Sequence, residues 1–550
     1  MKYCNLLSYG NYFIHCIVIT YFLSSISMWL NIGINPLIFP ISLIISLFIG
    51  IKTAKWNYKD IFIACIITIL LLTLSFSIYD YSYDGQWYHS GTILKLSEGW
   101  NPVFQHDIKV HHSADLWINH YSRGMETVSA CIVSTFNNLE IGKAINLFFL
   151  ASTIFYILFF LNNFLLETKT LTKLWLTLVI VLNPVVICQM FTFYIDYSLY
   201  SVILILAILL YSINKNDYKE KNISLISICL ILYFVPSIKF NIMFWVVMFM
   251  IGYTVYIWLN TKHIPKYIYT FILCGSLGVI IGAYNPYITN IIYHNNPFYP
   301  LMGDNNVDIM SIQLPPLYKE GNTITNILHS LIGNPANSFD TTNISVLSLS
   351  LENIKASGEV DARIGGFGIF FFEATIILIA LLSFAKGEKK KIVLLSLFIL
   401  FISLFVLPSG WWARYVVYFY LFPIIILIYL FKCKNSKFIN VMRYLPISLL
   451  TINIVISLAV VLAFGLSYRI KMSNTLEILS KLNNIEMSTW NISFLNKLDK
   501  HKIKYINYTN QPENSERLKT FGPETYIDLD KYNLTYKIKY GINLLTTKEK

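Results

Sequence analysis

The chain has 550 residues, of which 55% are hydrophobic, 16% aromatic and only 13% charged, with a mean hydropathy of +0.57. Soluble domains carry roughly 25% charged residues, so this composition excludes an ordinary soluble enzyme or binding domain. The net charge of +12 does not point to a nucleic-acid partner, because the basic residues are not gathered in one stripe but fall in every second connection between apolar runs.

Those runs lie at approximately 11–30, 33–51, 61–79, 141–162, 174–193, 197–213, 223–236, 241–259, 267–285, 366–385, 391–407, 415–431 and 445–467. At about 1.5 Å per helical residue such runs match a hydrocarbon core about 30 Å thick, so about thirteen transmembrane helices are expected. The basic connections hold Lys52, Lys55 and Lys59; Lys169 and Lys173; Lys215, Lys219 and Lys221; Lys262 and Lys266; Lys386, Lys389, Lys390 and Lys391; and Lys432, Lys434, Lys437 and Arg443. The positive-inside rule then puts these connections and the N-terminus in the cytoplasm. Segments 80–125, 286–365, 408–414 and 468–550, with the C-terminus, fall on the far side.

The fold class predicted is an all-α polytopic membrane protein whose external loops carry short interfacial helices. Residues 1–60 supply two N-terminal transmembrane helices, 61–467 a membrane core, and 468–550 a C-terminal extracytoplasmic segment. That last segment mixes amphipathic stretches (NTLEILSKL, ISFLNKLDK) with strand-like runs (KYINY, TYKIKY) and reads as a small α/β unit. The eight cysteines, Cys4, Cys16, Cys65, Cys131, Cys188, Cys229, Cys274 and Cys433, lie in or beside apolar runs or on the cytoplasmic side, so neither a disulfide framework nor a CxxC metal site is legible.

The stretch YDYSYDGQWYHSGTILKLSEGW, residues 79–100, follows the third apolar run with few turn residues. Its spacing predicts a partly helical segment with Trp87, Tyr88, Ile93, Leu94, Leu96 and Trp100 on an apolar side, lying in the membrane interface. On that helix Asp80 and Asp84 share a face at i and i+4, and repulsion and desolvation raise the proton affinity of at least one. A carboxylate so placed can act as a general base; the alternative is that Asp80 caps the helix and Asp84 is solvated.

The pattern Asp-Gly-x-x-Tyr-His at Asp84, Gly85, Tyr88 and His89, in the first large external loop, resembles that of the GT-C class of polytopic glycosyltransferases. It is similar to bacterial members related to the protein mannosyltransferase and lipid A aminoarabinose transferase families (glycosyltransferase family 39-like). Further likenesses are INHYSRGMETVSA (118–130) to a His-Tyr-Pro-Lys-x-x-Glu stretch, LNPVVICQMFTFYID (182–196) to an Asn-Pro segment, and GWWARYVVYFYLFP (410–423) to an Arg-Tyr motif. The likeness spans roughly residues 60–431. This chain departs from it in the two preceding spans, in Ser122 where proline is common, and in the Asp80 and Asp84 spacing.

The resemblance implies a GT-C-like glycosyltransferase that moves a hexosyl or pentosyl group from a polyprenyl-phosphate donor to a glycan, lipid or protein acceptor at the outer face of the bacterial cytoplasmic membrane. Asp84, or else Asp80, would be the base. Lys239 and Arg414, both at external ends of spans, would stabilise the departing phosphate; the plainer alternative is a snorkelling interfacial cation. Some relatives use a divalent cation (Mg or Mn) at the acidic pair and others none, which leaves the ion open. Further substrate-binding candidates are His89 and Tyr88, Asp196 on a short turn, Glu126, Tyr293 and His294, and Arg363 before Gly365, Gly366 and Gly368. Arg123 and Glu126 at i and i+3 can simply pair with each other. His111 and His112 beside Asp107 and Asp115 read as a solvated cluster rather than a zinc site. The rival functions are a surface-polysaccharide polymerase or ligase, which leans on external arginines, and a transporter or flippase, which needs charges near span midpoints.

Overall fold

The computed structural model describes residues 3–111, 113–215, 218–304, 306–336, 349–406, 409–510, 516–517, 522–539 and 541–548. It is 67% helix and 5% strand, so the chain is a helical protein with a small β portion. Among the described residues, six helical stretches are long and apolar enough to cross a membrane: Leu6–Trp29, Tyr58–Ser77, Glu140–Phe164, Lys221–Ile238, Phe240–Thr261 and Lys437–Leu479. A seventh is formed if Lys266–Gly282 and Tyr284–His294, bent by 65°, count as one span.

The expectation of thirteen spans is thus met only in part, and the reason lies in helix breaks that an apolar window ignores. The run at 174–193 breaks after Val181, where Asn183 caps a new turn through Val186 N–H and Pro184 takes its first position. The runs at 33–51, 366–385 and 391–407 give helices of 17, 14 and 14 residues. The last run does the opposite. Its helix, Tyr444–Leu479, has 36 residues, roughly 54 Å of length, and so outreaches a bilayer core. The predicted boundary at 468 therefore moves to the end of this helix, and NTLEI belongs to its final turns.

The N-terminal helix Tyr3–Trp29 packs against Ile38–Ala54, Ala144–Phe164 and Tyr218–Ile238. Packing is continuous across residue 60, since the Tyr9 hydroxyl donates to Asp60 Oδ1 at 2.9 Å. Helices Tyr58–Ser77 and Phe240–Thr261, by contrast, leave most of their apolar side chains outside, including Phe62, Ile69, Val247 and Ile251. An apolar surface of that extent suits lipid rather than water.

The segment predicted to be partly helical packs against the rest of the protein. A wide turn, Gly85–His89, leads into helix Ser90–Ser97, which lies against helix Gly124–Phe136 and buries Ile93 and Leu96 completely. Asp80 and Ser82 precede the helical residues, so Asp80 and Asp84 do not share a helix face.

After the long helix, strand Ile485–Thr489 pairs in parallel with Tyr505–Asn507 across helix Ile492–Lys500, and antiparallel with Thr525–Ile527, which also pairs with Glu516–Arg517. A hairpin of Leu534–Lys539 and Ile542–Thr547 leans on the long helix. This unit reaches back to the segment around Asp84: Tyr83 donates to Glu524 at 2.8 Å, Trp87 stacks on Trp490 with centroids 6.2 Å apart, and Gln86 Oε1 accepts from Asn491 Nδ2 at 2.7 Å and from the Tyr468 hydroxyl.

Candidate active site

A cavity of about 670 Å³ opens where the predicted external segments meet. Its walls come from the first such segment (Asp84, Trp87, Tyr88, Tyr121), the second (Gln313, Glu359, Asp361, Arg363), the short third (Trp412, Arg414) and the C-terminal unit (Glu524), with Tyr194, Lys239 and Tyr415 completing it. Basic connections predicted on the other side also gather together: Lys386 and Lys434 border a separate pocket, and Lys432 Nζ donates to Phe164 O at the far end of its helix.

Lys239 is placed by a one-residue break between helices Tyr218–Ile238 and Phe240–Thr261, where it is fully extended. Its ammonium pairs with Asp196 Oδ1 at 2.6 Å and lies 4.9 Å from the Tyr415 ring centroid. Arg414 Nε lies 3.4 Å from the other Asp196 oxygen, and Arg414 Nη1 is 2.5 Å from Asp361 Oδ1. The guanidinium also sits over Trp412, Tyr194 and Tyr415 at 4.7, 5.0 and 5.1 Å. Asp196 is thus enclosed by its partners. It is a buried anion that holds two cations side by side.

The segment carrying Asp196 is buried backbone, and its polar groups are met by side chains, as buried peptide groups require. Asn146 Nδ2 donates to Thr192 O at 2.6 Å, Gln189 Oε1 accepts from Tyr197 N–H at 2.8 Å, and Asp80 Oδ2 accepts from Phe193 N–H at 2.8 Å.

The charges set the proton affinities. Asp84 is half-buried in the cavity wall. Burial raises its proton affinity above the ordinary aspartate value, Arg414 opposes this and Asp361 adds to it. For Asp196, burial works in the same upward direction, but Lys239 and Arg414 outweigh it and leave the carboxyl below its usual range. Burial would weaken the Arg414 cation, yet Asp361 and Asp196 hold its proton well above the ordinary arginine value. The cavity therefore joins a proton-hungry carboxylate to permanently charged cations.

Other sequence candidates divide cleanly. Tyr88 lines the cavity. His89 lies behind it, with Nδ1 2.5 Å from Glu126 Oε1. Glu126 therefore pairs with His89 and not with Arg123, whose Nη2 donates to the carbonyls of Ile118 and Asn119 at 2.9 and 2.8 Å. Arg363 is in the wall, bonded to Gln313 and 3.7 Å from Asp361. Its loop depends on Gly365, at φ +60°, where a Cβ would come within 2.3 Å of Gly333 O. Tyr293 and His294 are not at the cavity: Tyr293 is 58% exposed, and His294 stacks on Tyr299 with centroids 3.8 Å apart. Asp80 is not there either, being sealed among Ser82, Phe193 and Glu140. His111 bonds Ser113 and Asp115 accepts amides of Val110 and His111, while His112 lies outside the described residues.

Asp361, Glu359, Tyr194, Trp412 and Glu524 were not singled out in the sequence. For Asp361 a signal existed, two residues before Arg363 in the same DAR loop. A divalent cation does not fit this set, since Asp361 is already bridged to two arginines, Asp80 and Asp84 are not a pair, and among the described residues no three His, Cys, Asp or Glu side chains converge. No family model matches the chain, and no curated protein matches it.

Proposed function

We propose that this chain is a GT-C-like glycosyltransferase of the cell envelope, with about thirteen apolar runs packed as membrane core, that uses a polyprenyl-phosphate sugar at the external rim of the bacterial inner membrane. The observation that carries the reading is the meeting of Asp84, Lys239 and Arg414 at one cavity, brought there by three segments far apart in the chain. A transporter site would instead put such charges near span midpoints.

The mechanism follows from the charges. An acceptor hydroxyl, from a glycan, lipid or protein, gives its proton to the Asp84 carboxylate as its oxygen attacks the anomeric carbon. The bond from that carbon to the donor phosphate oxygen breaks, with inversion, and the electron pair leaves on the prenyl phosphate. Lys239 and Arg414 stabilise that growing charge. A phosphate approaching from the cavity would take the face of Arg414 now held by Asp361, which is 29% exposed, while buried Asp196 keeps both cations in place. Trp412 adds a wall beside them, its buried Nε1 without a hydrogen-bond partner among the described residues. Trp87, Tyr88 and Tyr121 offer ring faces to the sugar. No metal takes part in this scheme.

The test is transfer. Full-length protein in lipid nanodiscs, given radiolabelled polyprenyl-phosphate sugars and a membrane extract as acceptor source, should label the acceptor, and Asp84→Asn with its fold intact should not. Equal labelling by both rejects the base assignment. No labelling by either from any donor rejects the glycosyltransferase reading.

A further inference from the structure

Asp80, Glu140, Lys143 and Lys497 form a cluster of buried charged side chains away from the cavity. Lys497 comes from helix Ile492–Lys500 of the C-terminal unit, and its Nζ lies 2.7 Å from Glu140 Oε1 and 2.7 Å from Ser493 Oγ. Glu140 Oε2 accepts from Lys143 and, at 3.1 Å, from the Asp80 backbone N–H. Lys143 Nζ also donates to Ile78 O at 2.7 Å. Asp80 then spreads its two oxygens over two segments. Oδ1 accepts from Ser82 N–H and Oγ at 2.7 and 2.6 Å, and Oδ2 from Phe193 N–H at 2.8 Å. One segment leads to Asp84. The other carries Tyr194, against the Arg414 guanidinium, and Asp196.

We propose that Lys497 is a positioning residue: acting through Glu140 and Asp80, the C-terminal unit holds residues 80–84 and 193–196 in the register that sets Asp84 beside the two cations. Its value for transfer rests on the reading of Asp84 as the base; the clasp itself does not.

The electrostatics give the device a sign. Two carboxylates and two ammonium groups cancel, so the cluster tolerates burial. Without the Lys497 charge, Glu140 and Asp80 share Lys143 alone, and the excess is relieved most easily by protonating Asp80. Burial already pushes Asp80 up to about 6, with Lys143 and Ser82 opposing and Glu140 adding. The other ionisable groups facing it are the hydroxyls of Tyr81 and Tyr468. The folded protein thus holds the Asp80 proton more tightly than water does, and the clasp weakens as Asp80 ionises with rising pH.

Hydrogen exchange tests this on the full chain in nanodiscs, without substrate. Peptides covering 78–84 and 190–197 should be best protected at about pH 5 and lose protection as the pH rises through about 6, after correction for the intrinsic exchange rate. In Lys497→Met the midpoint should rise by about one pH unit or more, with helix Phe371–Phe384 unchanged, and Lys497→Arg should restore it. Glu140→Gln removes an anion, so its midpoint should fall, which gives a reading of opposite sign if Lys497→Met does not fold. An unchanged midpoint in Lys497→Met, or a midpoint that does not fall in Glu140→Gln, overturns the proposal. If transfer is observed, Lys497→Met should lower kcat while leaving KM for the donor near its native value; a loss confined to KM also overturns it.

Discussion

Two groups of ionised side chains are joined through one short segment, since Asp80 accepts from the Phe193 amide three residues before Asp196, and they differ in one respect. The Asp196, Lys239, Arg414 and Asp361 group borders a 670 Å³ cavity, whereas Asp80, Glu140 and Lys143 are enclosed and of their group only the Lys497 side chain, 11% exposed, reaches the surface. Both contain carboxylates balanced by cations and mostly buried side chains, so burial and shifted proton affinity do not tell them apart. What does is the opening. Only the first group can exchange an internal partner for an incoming anion, because Asp361 is partly exposed at its outer edge. The second group can only hold the backbone.

That contrast is broken most severely by Asp84→Asn, which should cost on the order of 10³-fold in transfer rate, measured with labelled donor, while thermal unfolding stays near native. Glu140→Ala should act first on stability, with transfer falling as the register of 80–84 and 193–196 is lost. It leaves Lys143 and Lys497 buried without their shared anion, so a loss of about 3–5 kcal/mol in unfolding free energy is expected, read by denaturant titration. Lys239→Met should touch both properties, lowering transfer about 10²-fold and destabilising the protein, because Asp196 loses its closest cation.

The pH profile sharpens the comparison further. Asp84 must be ionised to take a proton, so the rate should rise with pH through its folded-state value, which burial places above that of an ordinary aspartate. Arg414 opposes that shift, and Arg414→Gln should therefore move the acid limb to higher pH as well as slow the reaction. Tyr293→Ala, outside the cavity, should leave transfer within about twofold and stability within about 0.5 kcal/mol.

The open group was largely legible in the sequence. Asp84, Asp196, Lys239 and Arg414 are charges at the ends of apolar runs, where an unpaired charge is expensive and a functional role competes with a capping or snorkelling one. Asp361 and Trp412 were not, because their place depends on how the loop around Gly365 turns back, a long-range fact that no local spacing encodes. The other group was misread for a related reason. Helical spacing made Asp80 the neighbour of Asp84, but the helical residues start only after Ser82, and Asp80 spends its oxygens on Phe193, more than a hundred residues away. Glu126 likewise has a helical neighbour in Arg123 and bonds His89 instead. Apolar windows located most of the helices but not their lengths, since breaks such as Asn183 and Pro184 change hydropathy little.

The central claim is that the two cations at the cavity receive the phosphate of a prenyl lipid. Its most direct test is equilibrium binding of labelled polyprenyl phosphate to nanodisc-embedded native protein, Asp84→Asn and Lys239→Met, each first checked for native thermal unfolding or held below its own transition. Native protein and Asp84→Asn should bind saturably and alike, with Lys239→Met weaker by about tenfold or more. Equal binding by all three, or no saturable binding by the native protein, would contradict the account.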